Sequence, residues 1–196
     1  MHTLVVATTN QGKLREITGL LAGLPIAVRN LSDSPAVPAP EETGTTFGEN
    51  ARQKALYYAA VTGVTTVAED SGLEIDALGG APGVQSARFG GEQSSYAEKF
   101  TLIYQALAQA GVTTSTARFV CALAVAREGR ILFEARGSVE GSIASAPRGE
   151  GGFGYDPIFF YPPFGCTLAE AGDRKHAVSH RGQAFSALRT WLSQQI

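Results

Sequence analysis

The sequence predicts an α/β protein organised around a mixed β-sheet, and three features carry that prediction. The apolar run Leu4-Val5-Val6 gives way, across a short polar turn, to a helical apolar period. Strand-like and helix-like segments then alternate through the first half. In the second half, two long strand-like runs, 116–127 and 130–139, are separated only by Glu128-Gly129. Alternation argues for parallel strands joined through helices, and a two-residue connection for an antiparallel hairpin, so the sheet must contain both. A chain of 196 residues with 44% hydrophobic and 17% charged side chains can bury a full core as one domain spanning residues 1–196.

Each element has its own signal. Residues 3–7 read as a buried strand. Residues 13–24 read as a helix with Leu14, Ile17, Leu20 and Leu21 on one face, closed by Pro25. Residues 26–31 suit a second strand. In "SDSPAVPAPEETG", residues 32–44, three prolines among acids exclude regular structure. "TFGENARQKALYYAAVTG" then predicts a helix over 46–63, with Phe47, Ala51, Ala55 and Ala59 apolar, Asn50, Lys54 and Tyr57 on another face, and Gly63 as its stop. "VTTVAEDSG" reads as a short strand, its Glu69 and Asp70 expected at the terminus before a Ser71-Gly72 turn. A turn-rich "ALGGAPG", a helix over 95–110 and the hairpin follow. "APRGEGGFGYDPIFFYP" reads as a glycine-rich loop entering a short strand. "SHRGQAFSALRTWL" is a closing helix with Ala184, Leu188 and Trp191 inward.

The balance of 16 basic and 18 acidic residues, net charge −2, contains no basic block that could track a nucleic-acid backbone, so long nucleic acid is excluded as a partner. Cys121 and Cys166 are too few for a disulfide framework and fit no zinc spacing, which suits a reducing cytosol. No apolar stretch has the length of a membrane span and no charged leader precedes the first strand, so a cytoplasmic location and no membrane partner are expected.

The candidate chemistry sits in turns. "ATTNQGKLREI", residues 7–17, holds a Gly-Lys at a helix start. The phosphate-loop pattern fails, because Ala7 and Leu14 stand where a glycine and a Ser or Thr are required. What remains is a strand end, the turn residues Thr8, Thr9, Asn10, Gln11 and Gly12, and Lys13 beside free helix N–H groups, an arrangement that can receive an anion. A plain strand-to-helix turn with a surface lysine fits the same residues. Glu41, Glu69 and Asp70 are hard oxygen ligands of the kind that take Mg²⁺ together with phosphate, or else ordinary loop and turn acids. Gly149, Gly151, Gly152 and Gly154 clear space around Phe153, Tyr155 and Asp156, for a planar ligand or for rings that plug the core. Lys175, His180 and Arg181 gather near the last helix, with Ser179 placed as its N-cap, whereas His2 reads as terminal and His176 as exposed.

Taken in order, "TTNQGK", "EETGTTFGENARQKA", "AEDSGLEIDALGGAPGVQSARF", "GGFGYDPIF" and "KHAVSHRG" resemble the inosine triphosphate pyrophosphatase family over nearly the whole chain. The resemblance implies an elongated two-lobed fold with a long central mixed β-sheet flanked by helices and the active site in the cleft between lobes. It implies a homodimer that hydrolyses non-canonical purine nucleoside triphosphates (ITP, dITP, XTP) to the monophosphate and pyrophosphate with Mg²⁺. By the same resemblance Thr8, Thr9, Asn10, Gln11, Gly12 and Lys13 hold the triphosphate, assisted by Lys54. Asp70 is the proton acceptor and a metal ligand, Glu41 the second metal ligand, and Ser71 a substrate contact. Phe153, Gly154, Tyr155, Asp156, Lys175, His180 and Arg181 surround the base, where Arg181 and His180 could donate to a C6 oxygen that adenine lacks.

Three positions depart from the family pattern. Glu69 stands where many relatives have aspartate, Cys166 where lysine is common, and His176 where a small polar residue is usual; the first leaves open which acid binds metal. Two other readings compete: a Maf-like house-cleaning pyrophosphatase that selects modified pyrimidine nucleotides, and a nucleotide sensor without turnover.

Overall fold

Among the described residues seven strands form one mixed sheet in the order β2-β1-β3-β4-β5-β6-β7. The computed structural model describes residues 3–33 and 38–195. The expectations for His2, for the side chain of His176 and for residues 34–37 of the proline-rich loop lie outside the described residues. β1 (Thr3–Val6) pairs in parallel with β2 (Ala27–Asn30) and with β3 (Thr66–Ile75). β4 (Thr116–Arg127) and β5 (Arg130–Ile143) are neighbours, and β5 pairs antiparallel with β6 (Phe159–Tyr161), which pairs antiparallel with β7 (Cys166–Thr167). The hairpin turn has φ of 51° at Glu128 and 73° at Gly129, the left-handed pair that matches strand twist in a two-residue connection.

Among the described residues four α-helices complete the fold. α1 (Gln11–Leu21) begins two residues before the expected start, because the Asn10 side chain caps the Gly12 and Lys13 N–H groups, and it stops at Leu21 rather than Leu24. α2 (Phe47–Thr62) opens on a Thr46–Glu49 capping box and closes at Gly63, whose φ is 66°. α3 (Tyr96–Gln109) opens on a second box, Ser95–Glu98, and α4 (His180–Ser193) follows Ser179 directly.

The largest correction concerns β3. The Ser71-Gly72 pair does not end it; the strand continues to Ile75, so Glu69 and Asp70 sit inside it rather than at its end. The physical reason is non-local. A β-carbon on Gly72 would fall 2.7 Å from Ser86 Cβ and 2.8 Å from the Gly83 carbonyl, so the glycine admits a neighbouring segment instead of making a turn. β5 likewise runs four residues past the expected end, and the two-residue β7 carries no readable period.

Packing divides the chain into two compact units: Met1–Asp70, Cys121–Gly137 and His180–Ile196 form one, and Ser71–Val120 and Ser138–Ser179 the other. In the first, Leu4, Val6, Val67 and Leu123 pack with Ile17 and Leu21 of α1 and Phe185 and Leu188 of α4. On α2, beside buried Phe47 and Tyr58, the alanines Ala51, Ala55 and Ala59 lie against Ala68, Ala124 and Ala126, which lets the helix approach its strands closely along that stripe. In the second unit Leu73, Ile75, Ile103, Phe119, Ile143 and Phe159 form the core.

Candidate active site

In the first unit β3 is the organising element. Side chains alternate across a strand, so Val67 and Glu69 share the face that packs with α1 and α4, while Ala68 and Asp70 share the face that packs with α2.

On the α2 face, Asn50 and Lys54 lie one turn apart and both reach Asp70. Asn50 Nδ2 donates to Oδ2 at 3.0 Å, and Lys54 Nζ lies 3.4 Å from Oδ1 and 2.6 Å from Glu42 Oε1. The loop carrying Glu42 is pinned to the same helix: Tyr57 donates to the Pro38 carbonyl at 3.0 Å and the Gly44 N–H to Asn50 Oδ1 at 2.8 Å. Burial, opposed by the Lys54 charge and the Asn50 hydrogen bond, pushes the Asp70 carboxyl above its ordinary value. Burial works against the Lys54 ammonium, but Asp70 and Glu42 outweigh it and Lys54 titrates above its ordinary range.

On the other face Glu69 is 4% exposed and accepts from three groups: Lys13 Nζ at 2.9 Å, Arg181 Nη2 at 3.4 Å and Cys121 Sγ at 3.5 Å. Arg181 is 1% exposed, and its Nη1 donates to Glu16 Oε2 at 2.6 Å. Two acids and two bases therefore neutralise one another inside the fold. Burial alone would raise the Glu69 carboxyl, but Lys13 and Arg181 together hold it well below the usual carboxylate range. The Cys121 thiol is pushed far up, first by burial and then by Glu69.

Thr8, Asn10 and Lys13 stand together at the head of α1. Thr8 Oγ1 accepts from the Asn10 N–H at 3.2 Å, and Asn10 Oδ1 accepts from the Gly12 and Lys13 N–H groups at 2.9 and 3.1 Å. Thr9 and Gln11 are exposed, Gly12 is half-buried and His180 buried. Glu41 is exposed, whereas its neighbour Glu42 makes the pair with Lys54.

Two participants were missed from the sequence, Glu16 and Cys121, and Glu42 was legible only as half of the acidic Glu41-Glu42 pair, without a role of its own. Glu16 had a signal, since it lies three residues after Lys13 on one helical face. Cys121 had none. Among the described residues no group of three or more His, Cys, Asp or Glu could form a protein cage for a metal. The carboxylate of buried Asp70, together with that of exposed Glu41, nonetheless offers hard oxygens that suit a cation drawing its remaining ligands from phosphate and water, the habit of Mg²⁺.

In the second unit Asp156 is buried and accepts from the Phe153 N–H at 2.8 Å and from Lys175 Nζ at 2.5 Å. The Lys175 ammonium lies 4.5 Å above the Phe153 ring, which remains 41% exposed. Gly152, with φ of 74°, leaves room for the Asp156 carboxylate, which a β-carbon there would strike. The two aromatic readings divide between two residues: Phe153 is presented outward, while Tyr155 plugs the core and donates to the Ser86 carbonyl at 2.7 Å. Ser71, the remaining expected contact, is half-buried in β3.

A sequence model described as the Ham1 family matches residues 4–191. A dITP/XTP pyrophosphatase of Exiguobacterium sp. is 49% identical over 186 residues, 94% of each chain. One of Geobacter sulfurreducens is 45% identical over 196 residues, covering 100% of this chain and 98% of its own. The solved structure of a HAM1 protein from Coxiella burnetii superposes with a TM-score of 0.92 at 41% identity, covering 99% of this chain and 100% of that one.

Proposed function

Because the chain belongs to the Ham1 family, we propose that it is a nucleoside triphosphate pyrophosphatase acting on non-canonical purine nucleotides, ITP, dITP and XTP. It cleaves between the α- and β-phosphates and releases the monophosphate and pyrophosphate. The observation that carries the reading is the placement of Asp70: a buried carboxylate that keeps one oxygen on Asn50 and the other facing Lys54, with Glu42 beyond.

Each residue then has work to do. Asp70 orients water and accepts its proton, a task helped by a carboxyl whose affinity for a proton is raised by burial. Lys13 and Lys54, with Thr8, Thr9, Asn10, Gln11 and Gly12, receive the triphosphate, and Lys13 stabilises charge developing on the leaving pyrophosphate. Asp70 and Glu41 would hold Mg²⁺, which when bound offsets phosphate charge and polarises the scissile bond. Phe153 stacks on the base, Gly154, Tyr155, Asp156 and Lys175 shape its surroundings, and His180, Arg181 and Ser71 complete the substrate set.

The enzyme is inferred to work in the cytoplasm as a homodimer, in keeping with the family resemblance; among the described residues no helix is long and apolar enough to cross a membrane. The deciding experiment is pyrophosphate release from a panel of purine and pyrimidine nucleoside triphosphates with Mg²⁺. ITP, dITP and XTP should be preferred, with monophosphate as co-product. Preference for pyrimidines, or release of diphosphate and inorganic phosphate, would overturn the reading.

A further inference from the structure

Tyr96 opens α3, where the Ser95–Glu98 capping box sets the helix start, and it remains 42% exposed. An exposed tyrosine is unremarkable by itself. This one is distinguished by how its ring is held and by what its hydroxyl faces. The ring meets buried Tyr155 edge to face, with centroids 5.3 Å apart and planes at 89°, and lies 6.3 Å from Phe100. Lys99 Nζ lies 4.9 Å from its centroid, and Lys99 is itself buried, its ammonium tied to the Ala87 carbonyl at 2.5 Å. The ring is therefore fixed before any ligand arrives.

Its tip points to the glycine-rich turn. A β-carbon built on Gly154 would lie 3.6 Å from Tyr96 Oη and 3.8 Å from its Cε1 and Cζ. Tyr155 donates its hydroxyl to the Ser86 carbonyl, but among the described residues the Tyr96 hydroxyl has no hydrogen-bond partner. Burial first, and the Asp156 carboxylate second, keep the proton on that hydroxyl. A rigid ring carrying an unused donor beside Gly154, the residue that follows Phe153, is built to meet a ligand at this turn.

We propose that Tyr96 is a further base-contacting residue, its hydroxyl donating to the C6 oxygen of an oxopurine. This rests on the reading above that the turn around Phe153 and Asp156, with Lys175, takes the base. Hypoxanthine and xanthine offer an acceptor at C6, whereas adenine offers an amino donor, so the contact favours the oxopurines.

The test compares wild type with Tyr96→Phe, which retains the ring contacts, and with Tyr96→Ala, which removes them. Calorimetry would measure binding of inosine monophosphate, and of inorganic tripolyphosphate as a probe without a base. In Tyr96→Phe the dissociation constant for inosine monophosphate should rise roughly tenfold, the loss of one neutral hydrogen bond, while tripolyphosphate binding holds. In turnover, KM for ITP should rise with kcat kept, and the ITP-to-ATP ratio of kcat/KM should narrow. Tyr96→Ala should lose more inosine monophosphate affinity than Tyr96→Phe. Unchanged inosine monophosphate binding in Tyr96→Phe, or a parallel loss of tripolyphosphate binding, would overturn the proposal. Wild-type protein that binds tripolyphosphate but no purine monophosphate would overturn the base-site reading itself, and Tyr96's role with it.

Discussion

Glu69 and Asp70 are consecutive in β3 and face opposite sides of it: Glu69 Oε1 lies 2.9 Å from Lys13 Nζ, and Asp70 Oδ2 lies 3.0 Å from Asn50 Nδ2. A strand turns adjacent side chains apart, so the two acids serve different partners although they are neighbours in the chain.

Substitution should separate them. Asp70→Asn should abolish nearly all pyrophosphate release while leaving the fold intact, because burial already disfavours the ionised form of Asp70 and the neutral amide removes that cost. Glu69→Gln should instead lower stability by about 3–5 kcal/mol, the cost of leaving buried cations short of an anion. Urea unfolding of both variants beside a pyrophosphate assay checks the contrast, and equal stability losses would contradict it.

Glu41 and Glu42 should part in the same way. Glu42 is committed to Lys54 at 2.6 Å. Glu41→Gln should raise the Mg²⁺ concentration for half-maximal activity by roughly tenfold through loss of a charged oxygen ligand. Glu42→Gln should shift it little. A reversed order in a Mg²⁺ titration would transfer the ligand role to Glu42.

Gly137 of β5 lies against the start of α4. A β-carbon there would strike the His180 carbonyl and fall 2.8 Å from Gln183 Cβ and 3.0 Å from the Ala184 nitrogen. Gly137→Ala should destabilise the protein by about 1–3 kcal/mol, the usual cost of overpacking against backbone. Thermal melting checks this; an unchanged midpoint would mean the helix start yields freely.

Tyr155 supplies a pH dependence. Burial raises its phenol above the ordinary value of 10.0, so the unfolded chain releases that proton first as pH rises. The stability it contributes is fully present below pH 10.0 and is lost above it, toward the raised folded value. Tyr155→Phe should cost about 1 kcal/mol at pH 7 by losing the hydrogen bond to the Ser86 carbonyl. The deficit should shrink as pH passes 10, which paired denaturation curves at pH 7 and 10.5 would show.

The sequence by itself determined the local elements and the residue types of the candidate site. Apolar spacing, Gly63 as a helix stop, Glu128-Gly129 as a turn and the shared face of Asn50 and Lys54 follow from periods and backbone preferences contained in a few residues. Only the tertiary structure decided where β3 ends, because the Ser71-Gly72 signal is overruled by Ser86 from another segment. It alone decided that Glu69 joins Lys13 and Arg181 while Asp70 joins Lys54, and that Phe153 turns outward while Tyr155 turns in. It alone brought Tyr96 to Gly154. Partners such as Glu16 and Arg181 lie 165 residues apart, so their meeting depends on strand pairing and core packing, which no local period encodes.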